Sequence, residues 1–414
     1  MESLGAQIKG YRKRLKLTLK QLAGDDLSYS MLSQIENDKA QPSLAMLQLL
    51  AKKLSVEISE LMGGAELTNL RSILKEAEAL SFSTYERDKS NDIKVISLIE
   101  PILPSLVDIN YETARLLDLY SQSYFHIYNN LEDGYLLSAI QKYEQLNMGS
   151  YVVRASLDLS KRYFQRLDYE QAYIVLQNVE EKLEDIEIHL DLLTKWEVCS
   201  YAAAIHFAIG NVPKGKQYLE DCIHLSEANN LYYQIDKIYQ LIIIQALQEN
   251  DIETGNLYIA KLALYVQFTQ NIYVKSYAMY LECHYRNCLL GDYEEVLRRI
   301  NSYRLEVAKE FGEMTLTVLF DYEQAYSLWG LERYEDALKI LKNLSIPDYV
   351  KHPYDLSACY QTYAIRALCN FHIGNKEDAF EDIIFSHQNI KRMPATHYKS
   401  FIETSYKKIL QHNI

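Results

Sequence analysis

The sequence predicts an all-α protein, with a small five-helix domain at the N-terminus followed by a right-handed superhelix of repeated helical hairpins. Three observations carry this. Apolar residues recur at three- and four-residue spacing through most of the 414 residues. Only 14 Gly and 7 Pro interrupt them, too few for a β-sandwich or a loop-rich enzyme. Short turn sequences of similar composition also return about every 41 residues along most of the chain.

In the first helix, Leu4, Ile8, Tyr11 and Leu15 form the inner face and the basic residues occupy the others. Thr18 is placed to cap a short second helix and Ser28 a third. In the third, Leu32 and Ile35 point to the core while Ser30, Ser33, Gln34 and Asn37 share the outward face. Pro42-Ser43 starts a fourth helix carrying Leu44, Leu47, Leu50 and Leu54, and Ile58 and Leu61 close the domain. Gly63-Gly64 is the expected hinge, which sets the domains at 1–66 and 67–414.

That order of elements reads as a helix-turn-helix, whose third helix enters the major groove of double-stranded DNA. Tyr29, Ser30, Ser33 and Gln34 are the residues expected at base edges. Gln34 leads, because a glutamine amide can hydrogen-bond adenine through two edge atoms at once. Tyr29 is equally suited to packing in the capping turn. Ser28, Asn37, Lys39, Thr18 and the first-helix lysines Lys9 and Lys13 are expected at phosphates. Arg12 and Glu36 fall where a salt bridge would join the first and third helices, so their expected role is structural. The competing reading is a helical bundle that makes only protein contacts.

Charge separates the two parts. The chain carries −13 overall, yet residues 1–66 hold nine Lys/Arg against eight Asp/Glu. Lys9, Arg12, Lys13, Arg14, Lys16 and Lys20 follow one another with no acid between them, which suits a phosphate-facing rim on an otherwise acidic molecule. The six cysteines show no C-x-x-C pair and lie in apolar helical stretches, as reduced core residues do. The N-terminus lacks a signal-peptide core and no uncharged apolar run of 18 residues occurs, so a cytoplasmic protein without a membrane partner is expected.

Beyond residue 68 the repeats declare themselves at the turns Leu167-Asp168-Tyr169, Gly210-Asn211-Val212, Asn250-Asp251-Ile252, Gly291-Asp292-Tyr293, Glu332-Arg333-Tyr334 and Gly374-Asn375-Lys376. Two weaker units fall at roughly 70–103 and 109–147, giving about eight hairpins, and Ala395–Gln411 reads as a terminal capping helix. Stacked hairpins bury each other's apolar stripes and leave a concave groove, which suits an extended peptide or a partner helix.

The pattern Gly-Asp-Tyr-x-x-Val/Ala resembles the tetratricopeptide repeat, lengthened from its usual period of about 34 residues. The N-terminal domain resembles the Xre/Cro-type regulators, with a Thr-capped second helix, Leu32-Ser33-Gln34-Ile35-Glu36-Asn37 and Pro42-Ser43. That family usually has Gln after the capping Thr and Gly at the position of Asp38, where this chain has Leu19 and Asp38. The turn Gly24-Asp25-Asp26-Leu27 is similar to that of the Rgg and PlcR type. Together the two parts resemble the peptide-pheromone regulators of Gram-positive bacteria (Rap, NprR, PlcR, PrgX and Rgg proteins), and the length and repeat number most resemble the NprR branch. The resemblance implies a cytosolic quorum-sensing transcription factor that binds a short signalling peptide in its repeat groove. It implies a homodimer as the working unit, with tetramer formation on peptide binding as a further state. NprR-like members also bind a response-regulator protein of the sporulation phosphorelay.

Counting back from each turn by tetratricopeptide stacking places Arg154, Asp158, Lys161, Glu197, Ser200, Lys237, Gln240, Tyr285, Tyr322, Tyr326 and Gln361 on the inner faces of first helices, with Asn287 and Asn370 four residues before Gly291 and Gly374. Amide side chains in a groove can pair with a peptide backbone, and Lys or Arg can hold its terminal carboxylate. Ordinary inter-repeat contact is the alternative role for each of these residues, and packing is the expected role of most of the 35 tyrosines.

No enzyme signature is present. The histidines are scattered without metal-ligand spacing, and there is no glycine-rich phosphate loop and no G-x-S-x-G, so no catalytic residue, metal or cofactor is expected. Two alternatives to the peptide-switched regulator remain. One is a scaffold that sequesters a response regulator. The other is a phage or mobile-element repressor that uses the same peptide switch.

Overall fold

The computed structural model describes residues 4–24, 26–40, 42–56, 64–81, 88–129, 133–185, 190–311 and 317–411. Among them every regular element is a helix. Four make the N-terminal bundle: α1 (Leu4–Arg14), α2 (Leu19–Ala23), α3 (Tyr29–Glu36) and α4 (Leu44–Leu54). The closing residues Ile58 and Leu61, the hinge residue Gly63 and the side chain of Leu44 lie outside the described residues.

Local chemistry sets these helices. Thr18 Oγ1 accepts the Gln21 N–H at 3.2 Å while Gln21 Oε1 accepts the Thr18 N–H at 2.8 Å, a reciprocal capping box that starts α2. Ser28 and Ser43 cap α3 and α4 through the amides of Met31 and Met46. Ile8, Leu22, Leu32, Ile35, Leu50 and Leu54 close the small core. Leu15, expected on the inner face, lies beyond the last turn of α1 and is 47 % exposed. The buried place near that end of α1 belongs to Arg12.

Eight hairpins follow among the described residues. They are α5 (Gly64–Ser81) with α6 (Lys89–Ile99), α7 (Tyr111–Tyr128) with α8 (Gly134–Gln145), α9 (Gly149–Gln165) with α10 (Tyr169–Asp185), and α11 (Leu192–Ala208) with α12 (Val212–Asn229). The rest are α13 (Ile235–Glu249) with α14 (Ile252–Thr269), α15 (Ile272–Tyr285) with α16 (Tyr293–Phe311), α17 (Thr317–Gly330) with α18 (Tyr334–Ile340), and α19 (Pro353–His372) with α20 (Lys376–Ile390). The single helix α21 (His397–Gln411) comes last. Helix α5 runs without a break through positions 66 and 67. The chain divides into two compact units, Met1–Asp158 and Leu159–Ile414, with the division inside α9.

The repeat marks have a backbone cause. Leu167, Gly210, Asn250, Gly291, Glu332 and Gly374 all adopt a positive φ, the left-handed conformation that ends the first helix of a hairpin. The residue after each begins the second helix. Asp168, Asn211 and Asp251 do so with side-chain oxygens that accept the amides of Gln171, Lys214 and Thr254. Glycine occupies three of the six left-handed positions, where no Cβ opposes that conformation.

Within the second unit the first helices of successive hairpins pack on one another, and distant repeats also meet. Tyr169 donates its hydroxyl hydrogen to the Lys351 carbonyl at 2.6 Å. The N–H at His352 Nε2 reaches the Ala204 carbonyl at 3.1 Å, and the His397 amide donates to Gln248 Oε1 at 2.9 Å. One core, including Trp196, Phe207, Ile243, Leu281, Phe320 and Ala364, runs through these layers.

Candidate nucleic-acid interface and repeat pocket

Helix α3 presents Tyr29, Ser30, Gln34 and Asn37 to solvent, with Ser33 half-buried between them. Leu32, Ile35 and Glu36 hold the opposite side in the bundle. Tyr29 is 58 % exposed, which sets it apart from the packing role. Asn37 donates its amide to the Ser33 carbonyl at 2.7 Å and ends the helix. The hydroxyl and amide of Thr18 and the hydroxyl of Ser28 serve the two caps. Lys13, Arg14, Lys16, Lys20 and Lys39 are exposed and Lys9 half-buried, so these cations border the bundle, with Arg14 resting over the Tyr11 ring at 4.4 Å.

Arg12 does not join that rim. Its Nε and Nη2 donate to the two Glu36 carboxylate oxygens at 2.6 and 2.7 Å, and Nη1 donates to the Leu17 carbonyl at 2.9 Å. The bidentate pair joins α1 to α3, and its hydrogen bonds hold the guanidinium even more firmly protonated than usual.

In the second unit a cavity of about 470 Å³ gathers Lys161, Glu197, Ser200, Lys237 and Gln240. Helices α9, α11 and α13 supply them, while Trp196, Tyr201, Tyr233 and Tyr277 add aromatic wall and His352 and Asp355 lie at the start of α19. Lys161 sits over the Tyr201 ring at 5.6 Å, and Lys237 donates to Gln234 Oε1 at 2.7 Å. Burial lowers the Lys237 pKa, and the positive charge of Lys161 pushes the same way, so the two ammonium groups share one field. His352 is held neutral, with its pKa lowered to about 4 by burial. Its Nε2–H is spent on Ala204 and its Nδ1 accepts the Tyr354 amide at 3.1 Å. Burial raises the Asp355 carboxyl to about 6.

The other groove candidates are placed elsewhere. Arg154 and Asp158 belong to the first unit, where Arg154 is exposed and the charge of Asp158 acts on buried Asp118. Tyr285, Asn287, Tyr322, Tyr326, Gln361 and Asn370 are buried, which corrects their expected place on an open groove. The Tyr285 hydroxyl donates to the Ile252 carbonyl, and Asn287 donates to both the carbonyl and the carboxylate of Glu323 at 2.9 Å. Tyr322 donates to the Ser345 carbonyl, Gln361 accepts from the Cys288 thiol and Asn370 from the Asn375 amide. Tyr326 packs at a tilt beside Tyr293 and edge-on against Trp329. Asn287 and Gln361 are taken up where successive first helices pack on one another, whereas Tyr285 turns onto Gly255 of α14 and Tyr322 and Asn370 bond to the segments that follow their hairpin partners or turns.

The helix-turn-helix family profile matches residues 8–61. Residues 8–61 are a helix-turn-helix domain. An immunity repressor protein of Bacillus phage phi105 is 37 % identical over 87 residues, a stretch that covers 21 % of this chain and 56 % of the relative. The chain thus matches little more than half the length of that curated relative. Among solved structures, PlcR of Bacillus thuringiensis in complex with the peptide PapR7 and DNA aligns at a TM-score of 0.37 and 16 % identity, over 68 % of this chain and 99 % of its own. The apo form of the competence regulator ComR of Streptococcus vestibularis aligns at 0.37 and 16 %, over 67 % and 96 %.

Two features of the helix-turn-helix domain were not anticipated from its sequence. A Cβ on Gly5 would stand 2.1 Å from the Ile35 carbonyl oxygen, so α1 and α3 meet backbone to backbone at this glycine. Asp38 holds φ at +56° and accepts the Gly5 amide through Oδ1 at 3.0 Å. An aspartate tolerates the left-handed conformation better than most residues, and here its carboxylate also caps α1. No described helix is long and apolar enough to cross a membrane, and no group of three potential ligands for a metal occurs among the described residues.

Proposed function

We propose that this protein is a DNA-binding transcriptional regulator whose helix-turn-helix domain reads operator DNA and whose repeat pocket takes a short peptide as the switching ligand. The observation that carries the reading is the solvent-facing side of α3, with Tyr29, Ser30, Ser33 and Gln34 bordered by cations on an otherwise acidic chain. The repressor role in the name of the phage relative agrees with it. One such domain touches too few bases for useful specificity, so the working unit is a two-fold dimer on paired half-sites.

The pocket suits a peptide end. Lys161 and Lys237 offer two cations to a terminal carboxylate, Ser200, Gln234 and Gln240 offer hydrogen-bonding groups to backbone, and the aromatic wall accepts an apolar side chain. To act as a switch, the peptide must bind the DNA-competent and DNA-incompetent arrangements with different affinity.

The test is DNA binding by fluorescence anisotropy, with synthetic peptides cut from the C-terminus of a neighbouring small reading frame. Gln34→Ala should weaken operator binding by about 1–3 kcal/mol and leave nonspecific binding in place. Lys161→Ala with Lys237→Ala should keep DNA binding and lose the peptide response. Equal loss of specific and nonspecific binding in Gln34→Ala would remove Gln34 from the readout. A peptide response that survives loss of both lysines would move the ligand out of this pocket.

A further inference from the structure

A second cavity, of about 460 Å³, is bordered by α12, α13 and α14. Ile242, Gln245, Ala246 and Glu249 line it from the side of α13 turned away from Lys237, Leu241 and Ile244, so it is separate from the pocket described above. Leu219, Ile223, Ile242 and Ala246 give it an apolar floor. Glu220 and Glu227 line it from α12, where both are exposed. Seven residues of helix set these two acids about 10 Å apart on one side of α12, with Ile223 between them. The other charges are spent locally. Lys216 bonds Glu249 at 2.6 Å, Asp251 accepts the Thr254 amide at 3.0 Å, and Lys261 lies over the Tyr258 ring at 4.8 Å. Tyr258 is pushed above its usual pKa by burial and then by the charge of Glu227, so Glu227 faces α14 across the cavity. A second, independent feature lies at the floor. Gln245 is 5 % exposed and donates its amide to Glu249 at 2.8 Å, yet its Oε1 is buried without a donor.

We infer that this cavity is a docking groove for a basic amphipathic helix of another protein, which sets two Lys or Arg residues seven positions apart against Glu220 and Glu227 and lays the apolar residues between them on Ile223 and Ile242. Charge complementarity selects the occupant. Two unpaired carboxylates on the rim attract cations and repel nucleic acid and anionic lipid. The unmet Gln245 acceptor asks for a donor, which a cationic side chain entering past the rim supplies and an acidic one does not. Spacing selects the shape. A small cation meets one acid and leaves the apolar floor wet, whereas a helix lying along α12 repeats the same two-turn interval and covers the floor between. The inference does not depend on the DNA-binding reading.

Fluorescence anisotropy of the full chain with a labelled, alanine-based peptide of about 17 residues, long enough to hold helix in water, tests it. The probe carries Arg at two positions seven apart, with Leu three and four residues after the first. It is expected to bind saturably. A peptide of the same composition with its Arg residues five apart, on different sides of the helix, is expected to bind roughly tenfold more weakly, since one of the two charge contacts is lost. Glu220→Arg with Glu227→Arg is expected to abolish binding of the first probe and to create binding of a version with Glu in place of Arg. Both sites are exposed, so helical content and thermal unfolding should stay unchanged in that variant. No saturable binding, equal binding of the two spacings, binding that survives charge reversal, or displacement of the probe by free arginine amide at equal concentration would each overturn the inference. A change in the mass of the chain itself on charge reversal, read by sedimentation equilibrium, would give the groove to a second copy and overturn it as well. Failure of the protein to bind DNA would leave these affinities unaltered.

Discussion

Replacing Glu36 with Ala removes two of the three hydrogen bonds that satisfy the buried Arg12 guanidinium and leaves only the one to the Leu17 carbonyl. Breaking a buried ion pair from one side costs about 3–5 kcal/mol, mostly from the charge left behind. The lower end applies here, because Arg12 keeps its Leu17 bond and its side chain retains 11 % exposure. About 3 kcal/mol corresponds to roughly a hundredfold rise in the opening equilibrium of the helix-turn-helix domain. Native-state hydrogen exchange at the amides of α1 and α3 reads that equilibrium directly, without requiring the whole chain to unfold in one step. Replacing both partners, Arg12→Met with Glu36→Leu, should recover most of the loss, since no charge remains buried. A rise of less than about fivefold in Glu36→Ala, equivalent to about 1 kcal/mol, would show that the pair behaves like a surface ion pair and would refute this reasoning.

Gly5→Ala should destabilise the same domain by about 1–3 kcal/mol, because the new methyl group must displace the Ile35 carbonyl of α3, and the same exchange experiment reports it. His352 has a folded-state pKa depressed to about 4, so its contribution is present above the unfolded value near 6.5 and is lost as pH falls toward 4. The stability difference between wild type and His352→Gln, followed by urea unfolding, should therefore shift against the wild type by up to about 3 kcal/mol over that window; a flat difference would place the ring in water. Asp355 runs the other way. Its raised pKa of about 6 gives a contribution that is present below the unfolded value and lost as pH rises through 6, so Asp355→Asn should stabilise the chain at neutral pH by roughly 1–3 kcal/mol and have no such effect near pH 4.

Much of this architecture could be read from residue order, because its cues are local. Thr18, Ser28 and Ser43 mark helix starts through side-chain chemistry that acts within three residues. The turn marks at 167, 210, 250, 291, 332 and 374 are visible because each needs one left-handed residue followed by a second-helix start. Arg12 and Glu36 were legible as a pair because both fall where this fold commonly places a salt bridge between its first and third helices. The groove was only half legible for the opposite reason. Lys161, Glu197, Ser200, Lys237 and Gln240 line one cavity, whereas Tyr285, Asn287, Tyr322, Tyr326, Gln361 and Asn370 come from the same count and are buried. Register states which way a side chain points and says nothing about how closely the facing helix approaches. The intimacy at Gly5 escaped notice on the same ground, since a glycine inside a helix announces no partner.

The bonds from Tyr169 to Lys351, His352 to Ala204 and His397 to Gln248 join residues 182, 148 and 149 positions apart. An open solenoid is a string of neighbours, in which an end can fray or a module be removed while the rest persists. Here the last hairpin and α21 are fastened to helices that emerge from the chain far earlier, so the second unit resembles a clasped bracelet more than a spring. These three bonds of its early helices form only when the C-terminal helices are in place. Such long loops slow folding and bind its steps together. Loss of α21 would accordingly be felt at α13, and a ligand that shifts α19 would be felt at α11, without any signal passing through the hairpins in between.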